Sequence, residues 1–144
     1  VLETSVNIAD QRNIDLVLPV CVEHNVGVLA KRPIANAAWK DLATQQGIYK
    51  NYAKAYTERL AKLPITPADL GYAGDPSHAW PEIALRFTLA QPGLHTAIVG
   101  TTSLTNFEKN LAVAAKGPLP TDQVAQLRKA WHTADPEGKW MGQT

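Results

Sequence analysis

Residues 96–110 read TAIVGTTSLTNFEKN, and the fold turns on how they are parsed. Thr96, Ala97, Ile98 and Val99 form a short, β-branched run that suits a strand buried on both faces. Gly100 breaks the run, and Thr101, Thr102 and Ser103 supply hydroxyls able to cap a helix. Leu104, Phe107 and Leu111 then follow at helical spacing. A strand that ends in Gly-Thr-Thr-Ser and opens a helix aims unpaired backbone N–H groups, and the positive end of the helix dipole, at one point. That point is a seat for a phosphate. The same residues also fit a capped helix packed on a parallel sheet with no ligand, and alone they leave both readings open.

Working outward, residues 1–8 read as a strand with Leu2, Thr4, Val6 and Ile8 on one face. Residues 9–12 are polar and turn-like, with Asp10 placed to cap the next helix. Ile14, Val17, Leu18, Cys21 and Val22 form a helical stripe, which predicts one amphipathic helix over 12–24 ended by His24-Asn25. Residues 26–30 form a second buried strand. Residues 38–76 are a long insertion that carries a helical face of Tyr49, Tyr52, Tyr56, Leu60 and Leu63, read as packing. A Pro/Gly-rich stretch comes after that face. A helix over 80–91 has Pro81 in its first turn and turns Trp80, Ile83, Ala84, Phe87 and Ala90 inward. The helix after the third strand runs to about Lys116. A last helix is capped by Thr121 and buries Val124, Leu127 and Trp131, and the tail over 136–144 lies on the body. Alternating strands and helices imply a parallel α/β sheet with right-handed crossovers. Three such strands are too few for a closed barrel and leave two open edges.

Composition narrows the function classes. The 144 residues suffice for one domain with a core, and a net charge of +1 offers no footprint for nucleic acid or an anionic membrane. No apolar run approaches a membrane span, and no signal peptide is visible. The single Cys21 excludes an internal disulfide and fits a reducing, cytoplasmic setting. The chain opens on Val1 inside strand-like sequence, so it is expected to be processed or part of a longer product.

Lys31-Arg32-Pro33-Ile34-Ala35-Asn36 puts two cations at the carboxyl end of a buried strand. They fit the mouth of a ligand site or a solvated loop, and the residues leave both open. No catalytic constellation is visible. His24, His78, His95 and His132 are scattered without metal spacing, and GxSxG, P-loop and GxGxxG motifs are absent.

Residues 17–39 (VLPVCVEHNVGVLAKRPIANAAW), 80–114 (WPEIALRFTLAQPGLHTAIVGTTSLTNFEKNLAVA) and 139–144 (KWMGQT) together resemble the C-terminal part of bacterial aldo-keto reductases. The resemblance covers the whole chain in order. It implies a partial (β/α)8 TIM barrel: the last three βα units plus the C-terminal helix, as a single segment over 1–144. It also implies that a dinucleotide, NADP(H) or NAD(H), lies across the carboxyl ends of the strands. Carried over by position, Arg32, Pro33, Ile34, Ala35 and Asn36 run beside the pyrophosphate, while Gly100, Thr101, Thr102 and Ser103 hold the adenosine phosphate. Asn110 meets the adenine. Asn106 stands where the family has an arginine for the 2′-phosphate, which weighs toward NAD(H). Glu3 replaces the glutamine that meets the nicotinamide amide, and Lys31 replaces an aromatic residue that stacks on the ring.

The family's catalytic Asp, Tyr, Lys and His belong to the first four βα units. The resemblance therefore implies the cofactor-binding portion of an NAD(P)H-dependent oxidoreductase that reduces aldehydes or ketones, with no catalytic residue and no metal in this chain. Tyr49, Tyr52 and Tyr56 are expected to lack the neighbours of a catalytic tyrosine. A carbonyl substrate would bind only with the N-terminal half present. The alternative is a stand-alone nucleotide- or partner-binding module whose edges are covered by self-association or a complementing half-barrel.

Overall fold

The computed structural model describes residues 1–44 and 48–142, without the side chains of Thr44, Ile48, Tyr49, Lys50 and Tyr52. In chain order the main elements are β1 (Leu2–Ser5), α1 (Arg12–Leu16), α2 (Leu18–Glu23), β2 (Val28–Lys31), α3 (Ile48–Leu60), α4 (Pro76–Leu89), β3 (Thr96–Ile98), α5 (Leu104–Ala115) and α6 (Thr121–Ala134). The strands are all parallel in the order β1-β2-β3, with Leu2 opposite Val28 and Leu29 opposite Thr96. The expected α/β order holds, and the sheet is open at β1 and β3. His95 extends the β2–β3 join. Its backbone N–H donates to the Val28 carbonyl (3.0 Å), and its ring Nδ1 accepts from the Val28 N–H (3.1 Å).

Two cores flank the sheet. Val6, Leu18, Cys21, Val28 and Ala30 close one between the strands and α2, so Cys21 is a buried hydrophobe. The larger core gathers Ile8, Ala35, Tyr56, Trp80, Ile83, Phe87 and Leu127 from α3, α4, α6 and the strand-end loops. The tail lies on the body as expected. Trp140 meets Trp131 edge-on with ring centroids 4.9 Å apart, and the Arg59 guanidinium sits over both rings at 5.6 and 5.9 Å. Arg59 also donates to the Met141 carbonyl at 2.7 Å.

Several expectations are corrected. The helix over 12–24 is two helices broken at Val17, because Pro19 in the first turn of α2 has no N–H to continue α1. The first strand ends at Ser5, and residues 6–11 fold into a turn that is buried throughout. That polar turn goes inside because its groups are bonded there. Asn7 Oδ1 accepts from the Ala9 N–H at 2.9 Å, and Gln11 Nε2 donates to the Ile8 carbonyl at 3.0 Å. Asp10 is a buried acceptor rather than a cap; α1 is capped by Gln11 without a side-chain bond. α4 starts earlier than expected, at Pro76, where Asp75 caps it by accepting from the Ser77 N–H at 2.8 Å. Pro81 therefore lies inside the helix, which tolerates the lost bond because Trp80, Ile83 and Ala84 around it are buried. α6 is capped by the backbone of Pro120, so Thr121 is its first helical residue rather than its cap. The third strand is an edge and is not buried on both faces, and Ile98 is 46% exposed. The expected packing face at Tyr49 and Tyr52 lies outside the described side chains, whereas Tyr56 and Leu63 are buried as expected.

Candidate functional site

The loop that leaves β2 has an unusual backbone. Arg32, Ala35, Asn36 and Ala37 have φ of 57°, 48°, 51° and 54°, the left-handed region. Each such residue with a Cβ costs about 1 kcal/mol, so other contacts must hold the loop. Thr88 Oγ1, fully buried on α4, donates to the Pro33 carbonyl (3.0 Å) and the Val6 carbonyl (3.2 Å). Ala35 is fully buried beneath the loop and anchors it in the larger core.

Opposite this loop stands the turn from β3 into α5. The Ser103 N–H donates to Thr101 Oγ1 at 3.1 Å, and Ser103 Oγ accepts from the Asn106 N–H at 3.3 Å. Ser103 is thus the helix cap that the sequence predicts. Gly100 has open space around the position of a Cβ.

Between loop and turn lies a cleft of about 730 Å³. Arg32, Pro33, Ile34, Asn36 and Lys40 line one wall, and Ile98 to Thr102 line the other. It continues past Ile34, Lys40, Gly100 and Thr101 into a second hollow of about 430 Å³, where Asn106, Lys109, Asn110, His78 and Glu82 also appear. Of the residues expected at a site, Arg32, Pro33, Ile34, Asn36, Gly100, Thr101, Thr102, Asn106 and Asn110 line these spaces. Ala35 is core, and Ser103 is occupied as the cap. Glu3 is exposed on β1, and neither it nor Lys31 lines the cleft.

Sequence reasoning missed Lys40 and Lys109. Lys109 was legible, since it lies three residues beyond Asn106 and so shares its helix face. Lys40 was not, because only the left-handed turns at residues 35–37 fold it back toward the cleft.

The charge around the cleft is mainly cationic. Glu82 contributes a carboxylate that Arg86 (2.8 Å) and Lys116 already hold. Burial alone would raise its pKa, but bonds from Lys116 and Arg86 outweigh that and hold it below the usual carboxylate range. The donor set of Arg32, Lys40, Lys109 and the N-terminal amides of α5 fits a phosphorylated, elongated anion.

Inside the fold lies a polar chain that the sequence did not announce. Tyr56, buried on α3, donates its hydroxyl to Asp10 Oδ2 at 3.0 Å. The Arg59 guanidinium lies 3.7 Å from Asp10 Oδ1. Tyr56 therefore has charged neighbours, Asp10 and, beyond it, Arg59. Burial first, and the Asp10 charge second, push its pKa up rather than down. Among the described residues no cluster of His, Cys, Asp and Glu could hold a metal ion, and no helix is long and apolar enough to cross a membrane.

Comparison with known proteins bears on the fold and the family. The model of the Aldo/keto reductase family matches residues 1–132. Two solved structures are similar in fold, the holo and apo forms of an aldo-keto reductase from Bacillus halodurans, each with 24% identity and a TM-score of 0.61. The match covers 89% of this chain but only 41% and 42% of those chains. No protein with a curated description matches. The three parallel strands thus correspond to part of a (β/α)8 barrel, and the chain belongs to the aldo/keto reductase family.

Proposed function

We propose that the cleft binds the phosphates of a nicotinamide dinucleotide, NADP(H) or alternatively NAD(H). The chain is then the cofactor-binding portion of an oxidoreductase that reduces aldehydes or ketones to alcohols. The observation that carries this reading is that Arg32 and Lys40 face the Gly100-Thr101-Thr102 turn across one cleft. Arg32 would pair with the pyrophosphate, and the amides opening α5 would receive the adenosine phosphate. Asn106 offers hydrogen bonds but no charge at the position of the family's arginine; Lys109, in the same hollow, supplies a cation that supports NADP(H). Asn110 would meet the adenine. When bound, the cofactor supplies the hydride for the carbonyl carbon.

This chain's own residues bind and orient. A tyrosine acting as general acid needs a lowered pKa. Tyr56 is buried beside Asp10 and Tyr72 lies against Glu82, and both are pushed the other way, by burial first and the neighbouring carboxylate next. Protonation of the product oxygen is therefore assigned to groups outside these residues. The test is a fluorescence titration with NADPH and NADH, and then turnover with NADPH and nitrobenzaldehyde. Binding without turnover is expected of the 144-residue chain. Clear turnover would sink the division of labour, and no binding at millimolar cofactor would sink the site.

A second reading, a non-catalytic module that self-associates, is favoured by one observation. Apolar side chains stand exposed at both sheet edges: Val1 and Leu2 beside β1, and Ile98 on β3. A doubled native mass would favour it.

A further inference from the structure

We infer that Glu82 is a positioning residue for the second hollow: from α4 its carboxylate grips Lys116 and so sets where α5 stands, with the groups that α5 presents to a bound adenosine. The inference rests on the dinucleotide reading above. It starts from the walls. Asn106, Lys109, Asn110 and Lys116 line the hollow from α5, and Glu82 lines it from α4. The four α5 residues share one face of that helix, and the ten positions from Asn106 to Lys116 span roughly 15 Å. The hollow is thus a trough along α5, and a shift of the helix moves all of these groups together.

The hold on that helix is the second part. α5 buries no residue fully, so apolar packing fixes it weakly. Its start follows directly from β3 through the turn at residues 99–103. At its other end Glu82 Oε2 meets Lys116 Nζ, while Glu82 Oε1 meets Arg86 Nη1 at 2.8 Å. Arg86 in turn donates to the Gly117 carbonyl at 3.0 Å and to the Pro118 carbonyl at 3.1 Å. Glu82 and Arg86 together fasten the exit of α5 to α4.

Charge is the third. A carboxylate facing a bound phosphate would repel it. Both Glu82 oxygens are already taken by cations, so what Glu82 offers a ligand is placement rather than contact. Burial works against its charge, yet the bonds from Lys116 and Arg86 outweigh burial and keep its pKa below the usual carboxylate range. Lys116 is half exposed, so solvent screens the pair. A device cannot shift binding by more than its own free energy, which sets the ceiling at about fivefold, the equivalent of about 1 kcal/mol.

The experiment is a double-mutant cycle on the full chain with three probes: NADPH by fluorescence, and adenosine and inorganic pyrophosphate by competition with it. Glu82→Gln and Lys116→Gln should each weaken NADPH and adenosine about two- to fivefold and change pyrophosphate less than about twofold. Both break one pair, so the double variant should be no weaker than the weaker single variant, and Lys116→Arg should bind as the wild type does. The sign separates placement from plain charge. Removing a carboxylate from a lysine-lined hollow would tighten an anion by Coulomb attraction alone, so tighter NADPH binding in Glu82→Gln overturns the inference. Adenosine carries no charge, so adenosine affinity that both variants leave unmoved overturns it too. Equal losses for adenosine and pyrophosphate would mean general loosening and also overturn it. Should Glu82→Gln fail to fold, the half-exposed Lys116 still answers through adenosine: weaker binding in Lys116→Gln with recovery in Lys116→Arg supports the role, and no change overturns it. Failure of the underlying reading looks different. Wild-type protein that binds neither NADPH nor pyrophosphate removes both the dinucleotide site and this role, whereas wild-type binding that the variants leave unchanged removes only the role of Glu82.

Discussion

α4 and α5 carry the same apolar spacing and meet opposite fates. On α4, Trp80, Ile83, Ala84 and Phe87 are all buried in the larger core. On α5, Leu104, Phe107 and Leu111 remain 71%, 50% and 56% exposed, and the helix buries no residue fully. Periodicity reports which face of a helix is apolar; it does not report whether anything covers that face. α4 lies over a filled core, while α5 runs beside the open β3 edge. The solved structure that the chain matches is covered over only 41% of its length.

The strongest way to break this contrast is a pair of matched truncations. Phe87→Ala removes a fully buried ring and should lower stability by about 3–5 kcal/mol, toward loss of folding. Phe107→Ala removes a half-exposed ring and should change stability by less than about 1 kcal/mol. Denaturant unfolding of the two variants checks both. Equal losses would mean that the α5 face is covered in solution, and the self-associating reading would gain.

The next variant asks what holds the cleft loop to the filled side. Thr88→Val keeps the shape of the side chain but leaves the Pro33 and Val6 carbonyls without the buried hydroxyl they share. The cost should be about 1–3 kcal/mol. Because Arg32, Ala35, Asn36 and Ala37, the left-handed residues of the loop, depend on that pin, cofactor affinity should fall with stability. Thermal unfolding with and without NADPH reads both, and a variant that loses stability while keeping its full NADPH-induced shift would show that the loop is held elsewhere.

The same contrast explains how much was legible beforehand. The strand order, the parallel sheet and the inward face of α4 come from local patterns, and those patterns were satisfied by local packing. The cap at Ser103 was legible for the same reason, since a hydroxyl three residues before Asn106 needs only one turn of helix to act. The buried turn at residues 6–11 was not. Asn7, Asp10 and Gln11 look like surface residues until a tyrosine 46 positions away bonds to Asp10, and such long-range pairing leaves no periodic trace. The break at Val17 was legible in Pro19 but was outvoted by an unbroken apolar stripe. The walls of the site could be named from the resemblance, but Lys40 depends on a backbone turn that no residue type announces.

The smallest effect concerns how α5 stays attached at all with so little buried. Its C-terminal end is fastened to α4 by polar contacts. Glu82 holds Lys116 and Arg86, while Arg86 Nε donates to the Gly117 carbonyl at 3.0 Å and its Nη2 to the Pro118 carbonyl at 3.1 Å. The folded-state pKa of Glu82 lies below its unfolded value, so its ionised form stabilises the fold. That contribution is complete above the unfolded value of about 4.3 and is lost as pH falls through the lower, folded value. Lys116 is half exposed, so solvent screens the pair and the whole effect should stay under about 1 kcal/mol. It should also be local. Amide hydrogen exchange along α5 should speed up between pH 5 and 3 (rates corrected for intrinsic pH dependence), while α4 amides, buried with the core, change only with global stability. Glu82→Gln should remove most of that pH dependence at α5. If both helices loosen together in the wild type, the apolar face of α5 is coupled to the core after all, and the contrast between the two helices fails at its weakest link.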